Sequence, residues 1–140
     1  QRELLLLREM RDAATAIREL VDGRSSEQVG ADGIRRSALL WHFTVLGEAA
    51  SQGPSGDEGA NPKIAWRAAT RLRNRIVHGY WDIDVETLVA TAVDDLPDMI
   101  TQLESAIASL QEPEGTDPAL ETASDSGWIV QRIGVARGAP

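Results

Sequence analysis

Arg73, His78 and Tyr80 are the side chains of this sequence best placed to do chemistry. They fall within one run of eight residues, Arg73-Asn74-Arg75-Ile76-Val77-His78-Gly79-Tyr80, with Arg71 before it and Trp81 after it. An imidazole titrates near neutral pH and serves as base or acid. A guanidinium grips phosphate oxygens through a planar fork of N–H donors. Breaking a phosphodiester through a ribose 2′-hydroxyl asks for a base at that hydroxyl, a proton for the leaving oxygen and a cation beside the phosphate. Arg and His supply these without a metal. His78 also has a plainer explanation, because a cationic His in the last turn of a helix interacts well with the negative end of the helix dipole. His42, the other of the two histidines, sits between Trp41 and Phe43 in mid-helix and reads as a structural residue satisfied by a hydrogen bond. The chain has no Cys, no Gly-rich phosphate loop and no cluster of metal ligands. Disulfides and Cys-based zinc sites are thereby excluded.

Helices must position these groups. Leu6, Met10, Ala13, Ile17 and Leu20 recur at helical spacing and predict a first helix over 2–22, stopped by Gly23. Residues 23–33 read as a loop in which Ser25-Ser26-Glu27 can open a short helical turn. A second helix is expected from Ile34 to Ala50, with Ile34, Ala38, Trp41 and Val45 as its inward stripe and Leu39 and Leu46 beside it. Ser51 to Ala60 carries Gly, Pro and acids and reads as a mobile loop. Asn61 as cap and Pro62 in the first position predict the start of the third helix. Its buried stripe would be Ala65, Ala68, Ala69, Leu72 and Ile76, and Gly79 marks its exit. On an ideal helix Arg71, Arg75 and His78 share a face, whereas Arg73 lies about 140° from His78. For the two to work together, the helix should loosen before His78 or the His must lean past its end. Residues 85–110 form a fourth helical region, broken at Pro97, with Met99, Leu103, Ile107 and Leu110 inward and Asp94 or Asp95 capping its second part. The sum is an all-α, up-and-down bundle over residues 1–110. Residues 111–140 are expected to be a flexible tail with a short apolar segment at 128–135.

The 140 residues suit one core of ordinary composition, and the net charge of −8 argues against binding long duplex DNA through the overall field. The distribution is more informative. Residues 61–81 hold five basic groups (Lys63, Arg67, Arg71, Arg73 and Arg75) and no acid, whereas residues 82–110 hold seven acids and no base. A solvated face paired with the acidic segment is the bland reading. A cationic site is the other. No apolar run approaches the ~20 residues that span a bilayer, and Leu4 to Leu7, flanked by Glu3 and Arg8, does not read as a secretion signal. A cytoplasmic location is expected. The sequence opens on Gln1 rather than Met, which leaves upstream residues or a processed start open.

The run from Arg73 to Tyr80 resembles the Arg-x4-His-x-Tyr motif of HEPN domains in the form found in HepT-like toxins. Val45-Leu46-Gly47-Glu48-Ala49 is similar to the family's Gly-Glu-Ala step, and Pro62, Ile64 and Trp66 to its Pro-x-Ile-x-Trp. Trp81-Asp82-Ile83-Asp84 is similar to its Ile-Asp continuation, and Leu96-Pro97 to its later break. The resemblance covers roughly residues 4–110. It implies a four- or five-helix bundle that forms a homodimer and acts as a metal-independent ribonuclease toxin needing no cofactor. Carried over by position, Arg73 and His78 are the catalytic pair, Asn74 and Arg75 support them, and Glu48 faces the cleft or lies exposed. Tyr80 becomes the target of AMP transfer from a minimal nucleotidyltransferase antitoxin. A non-catalytic partner subunit of such a nucleotidyltransferase is the alternative, and a helical interaction module without nucleotide chemistry is a third reading.

Overall fold

The computed structural model describes residues 2–53 and 61–111. Among them lie six α-helices, one 3-10 turn and no strand. They are α1 (Arg2–Val21), α2 (Ser26–Ala31), α3 (Gly33–Ser51), α4 (Trp66–Gly79), α5 (Val85–Asp94) and α6 (Leu96–Gln111), with the 3-10 turn at Tyr80–Asp82 between α4 and α5. The helical unit runs to Ser109. The expected tail with its 128–135 segment, and most of the 51–60 loop, lie outside the described residues. No helix among those described is long and apolar enough to cross a membrane.

Local chemistry sets the helix starts. Ser25 Oγ accepts the Gln28 N–H at 3.1 Å and Gln28 Oε1 accepts the Ser25 N–H at 2.9 Å. This reciprocal box turns the expected single turn into a short helix. Asp32 then caps α3 by accepting the Arg35 N–H at 3.1 Å. That backbone hydrogen bond, with the Arg35 side chain, holds the Asp32 carboxyl below the usual carboxylate range.

Helix α3 lies along α1 and α4 and runs antiparallel to both. Arg2 Nη2 at the start of α1 donates to Gln52 Oε1 beyond the end of α3 at 3.2 Å, while Arg35 Nη1 near the start of α3 donates to the Leu20 carbonyl at the end of α1 at 3.0 Å. Arg18 Nη1 reaches the Ala92 carbonyl of α5 at 3.3 Å. Leu7, Met10 and Ile17 of α1, Leu39 and Phe43 of α3, Leu88 of α5 and Leu103 of α6 are almost fully buried. Each contributes about 1.5–3 kcal/mol through apolar burial.

Two expected stripes are corrected. On α3 the buried residues are Leu39, Phe43, Leu46, Gly47, Ala49 and Ala50, whereas Ile34 is 86% and Trp41 62% exposed. Apolar residues occupy both sides of this helix, so periodicity does not say which side is covered. The small residues Gly47, Ala49 and Ala50 decide it by letting other helices come close. On α4, Trp66, Ala69 and Ile76 are buried and Leu72 is half-buried, while Ala65 and Ala68 are exposed. These two alanines instead line an apolar groove of about 330 Å³ with Phe43, Leu46, Leu96 and Met99. Of the four residues expected to face inward on the last helix, Met99, Leu103 and Ile107 are buried and Leu110 is half-buried.

The start of α4 is also later than expected. The helix begins at Trp66, and its cap, Ala65, makes no side-chain hydrogen bond. Residues 61–64 form a turn closed by the Ile64 N–H on the Asn61 carbonyl at 3.2 Å. The Trp66 indole N–H binds the same carbonyl at 3.1 Å, and the indole ring lies against Gly53, where a Cβ would approach Trp66 Cζ3 to 2.6 Å. One buried Trp thus holds the chain on both sides of residues 54–60. Its hold on Asn61 keeps 61–65 out of the helix.

Candidate active site on the fourth helix

Close approach of α3 and α4 sets the position of Arg73. A Cβ on Gly47 would sit 2.2 Å from Arg73 Cβ, 2.5 Å from the Ala69 carbonyl oxygen and 3.0 Å from Arg73 Cγ. Only glycine leaves room for the Arg73 stem on the α3 backbone. Arg73 Nη2 then meets Glu48 Oε1 at 3.4 Å, with 23% of the Arg73 side chain and 53% of the Glu48 side chain exposed. Glu48 therefore faces the candidate site and pairs with an Arg. In so exposed a setting the pair adds at most about 1 kcal/mol to stability. Its consequence is orientation. Arg73 Nε is buried with no hydrogen-bond partner among the described residues, at a cost of roughly 1–3 kcal/mol.

His78 occupies a different setting. Helix α4 runs without interruption from Trp66 to Gly79, so the first of the two ways in which the pair could meet, a helix that loosens before His78, does not occur. Arg73 and His78 point about 140° apart around it. His78, Arg71, Arg75 and Asn74 are all exposed, and His78, Arg71 and Arg75 share one face. No ion pair involves Arg71 or Arg75 among the described residues, so pairing with the acidic segment does not account for these two cations. Beyond Gly79 the 3-10 turn presents Tyr80, 57% exposed, and Trp81, 71% exposed, with their rings edge to face at 5.3 Å. His42 is half-buried and its side chain makes no hydrogen bond among the described residues, contrary to the bond expected for it. No three His, Asp or Glu side chains among those described could together hold a metal ion.

The structure thus brings Arg73 to Glu48 and sets His78 with Arg71 and Arg75. Within one chain it does not bring Arg73 to His78. Reasoning from the sequence missed how closely Gly47 seats Arg73, although a Gly before Glu48 amid larger apolar residues was a usable signal. It also missed Gln52, which had no signal.

An all-α bundle with a carboxylate-paired Arg and an exposed His on one helix has the makings of an anion-handling acid–base site. Comparison with known proteins narrows the class. The chain belongs to the HepT-like family, described as ribonuclease HepT-like, whose profile matches residues 10–106. It is 27% identical over 93 residues to a probable ribonuclease HepT of Thermococcus cleftensis, covering 66% of this chain and 84% of that protein. It is 25% identical over 76 residues to a putative RNase of Methanocaldococcus jannaschii, covering 54% of this chain and 63% of that protein. It is also 21% identical over 89 residues to a putative RNase of Caldanaerobacter subterraneus subsp. tengcongensis, covering 64% and 80%. No solved structure matches the chain significantly.

Proposed function

We propose that this protein is an endoribonuclease that cleaves RNA without a metal, at a site shared between two copies of the chain. One observation carries the reading. In a member of a ribonuclease family, the exposed His78 and the held Arg73 lie on different sides of one helix. A second copy resolves this by placing its His78 opposite the first copy's Arg73.

The surface supports such pairing. Ile34, Ala38, Trp41, Val45 and Glu48 lie within about 80° of one another around α3. Arg73 and Val77, four residues apart on α4, share a face, and Val77 is 51% exposed. The Arg73–Glu48 pair joins these two faces. The result is an uncovered apolar surface around the Arg, of the kind that marks an association site.

In the shared site the His78 imidazole takes the proton of a ribose 2′-hydroxyl. The 2′-oxygen attacks the adjacent phosphorus, the bond to the 5′-oxygen breaks, and that oxygen leaves with a proton from solvent. A 2′,3′-cyclic phosphate and a 5′-hydroxyl result. Arg73 faces the charge that builds on the phosphate oxygens, and Asn74 and Arg75 flank the strand. The protein acts in this reading as the toxin of a toxin–antitoxin pair in the cytoplasm. A minimal nucleotidyltransferase silences it by transferring AMP to Tyr80, whose exposed hydroxyl stands two residues from His78. The added phosphate would repel RNA at the cationic face.

The test is cleavage of a generic RNA in EDTA by the parent chain and by His78→Ala. Cleavage by the parent alone is expected. Cleavage by both would remove His78 from the site. Cleavage by neither, with Tyr80 shown to be unmodified and the chain binding a nucleotidyltransferase tightly, would establish the non-catalytic partner reading instead.

A further inference from the structure

Three residues of α3 and its end, Gly47, Glu48 and Gln52, are linked to Arg73 directly or through one another, and none of them has a part in the chemical steps above. Gly47 makes room for the stem of Arg73. Glu48 uses both carboxylate oxygens: Oε1 faces Arg73 Nη2 at 3.4 Å, and Oε2 accepts from Gln52 Nε2 at 3.2 Å. Gln52 is in turn anchored, because its own oxygen accepts from Arg2 Nη2 at 3.2 Å. The chain of contacts therefore links α4, α3 and α1. It ends in a guanidinium whose Nε is buried and unbonded.

We propose that Gly47, Glu48 and Gln52 form a socket that fixes Arg73 as an end-on phosphate donor, with Gln52 as a positioning residue. With one N–H of Nη2 turned to Glu48, the socket leaves Nη1 and the other N–H of Nη2 as the donors for an anion. The side-on fork that uses Nε is closed, because Nε lies under the surface. Gln52 acts through Glu48. Without it, one carboxylate oxygen loses its donor, the carboxylate can rotate, and the angle at which Arg73 is presented is no longer set. Arg2 and Gln52 are exposed, so their effect falls on geometry more than on folding. Small displacements of a catalytic group are costly, reaching about a hundredfold for 1 Å.

The proposal deepens the ribonuclease reading and rests on it for the role of Arg73, but the socket itself can be tested without catalysis. Gly47→Ala is a poor probe because its Cβ would press on the Ala69 carbonyl as well as on Arg73 and so lower stability together with geometry; Gln52→Leu is the variant of choice. Phenylglyoxal adds to the terminal nitrogens of a neutral guanidine, and a paired carboxylate slows it. Mass spectrometry of the peptide carrying Arg73 should show its modification rate rising several-fold in Gln52→Leu, while Arg71 and Arg75 are unchanged. In RNA cleavage the same variant should lose about tenfold in kcat with KM little changed. Combined with Glu48→Gln, the loss should not increase further, since both act through one contact. An unchanged Arg73 rate in Gln52→Leu, or losses that simply add in the double variant, would overturn the socket. If the parent chain cleaves no RNA, the ribonuclease reading fails and the Arg73 rates alone decide on the socket.

Discussion

The middle and the exit of helix α4 handle their polar residues in opposite ways. In its middle, Arg73 is pressed onto Gly47, paired with Glu48 and mostly covered. At its exit, His78, Tyr80 and Trp81 stand exposed, and the His78 side chain has no hydrogen-bond partner among the described residues. Within the protomer the Arg73 cation is fixed, whereas the His78 imidazole and the Tyr80 ring are left exposed, as the proposed site shared between two copies requires.

Substitutions can break or sharpen this contrast. His78→Ala has the largest expected effect, a loss of about 10²- to 10⁴-fold in RNA cleavage, with circular dichroism unchanged because the side chain is exposed. Trp66→Ala tests the covered side. The buried indole holds both Gly53 and Asn61, so its loss should cost about 3–5 kcal/mol in chemical denaturation. A smaller cost would show that the chain around residues 54–60 has other anchors. Gly47→Ala should cost about 1–3 kcal/mol through overpacking, and cleavage should fall along with stability if the seam positions Arg73. Trp41→Ser should change protomer stability by less than about 0.5 kcal/mol yet shift sedimentation towards the monomer. A variant that sediments like the parent would move the association surface off α3.

The smallest effect concerns pH. The Asp32 carboxyl is held below its ordinary range by the Arg35 backbone N–H. Its contribution to stability is therefore present above the ordinary carboxylate range and is lost as pH falls through the lower, folded-state value. Thermal melts of Asp32→Asn and parent should converge in acid and differ near neutrality. A constant difference across pH would remove the carboxylate charge from the account.

Much of this was legible in the sequence. The all-α class, the helix breaks at Gly23, Gly79 and Pro97, and the cluster on α4 follow from periodicity and punctuation. The covered side of α3 was not legible. Ile34, Ala38, Trp41 and Val45 make as regular a stripe as a buried face does, and only the approach of α4 onto Gly47 shows which side is inward. The start of α4 was misread because Asn61-Pro62 is a good helix opening locally. The hold of Trp66 on the Asn61 carbonyl and on Gly53 comes from tertiary structure, which local signals do not carry. At the site, Glu48 facing the cleft was one of two open options, and which Arg it meets was not legible. The separation of Arg73 from His78 was visible in their spacing, but that the helix stays regular to Gly79 was not.

The most direct test of a site shared between copies is complementation. Arg73→Ala and His78→Ala are each expected to be inactive alone. If Arg73 of one copy works with His78 of another, mixing the two variants under conditions of subunit exchange restores one complete site per mixed dimer, or roughly a quarter of parental activity overall. Mixed dimers that form by mass spectrometry but stay inactive would contradict the shared site and require Arg73 and His78 to act from the same chain.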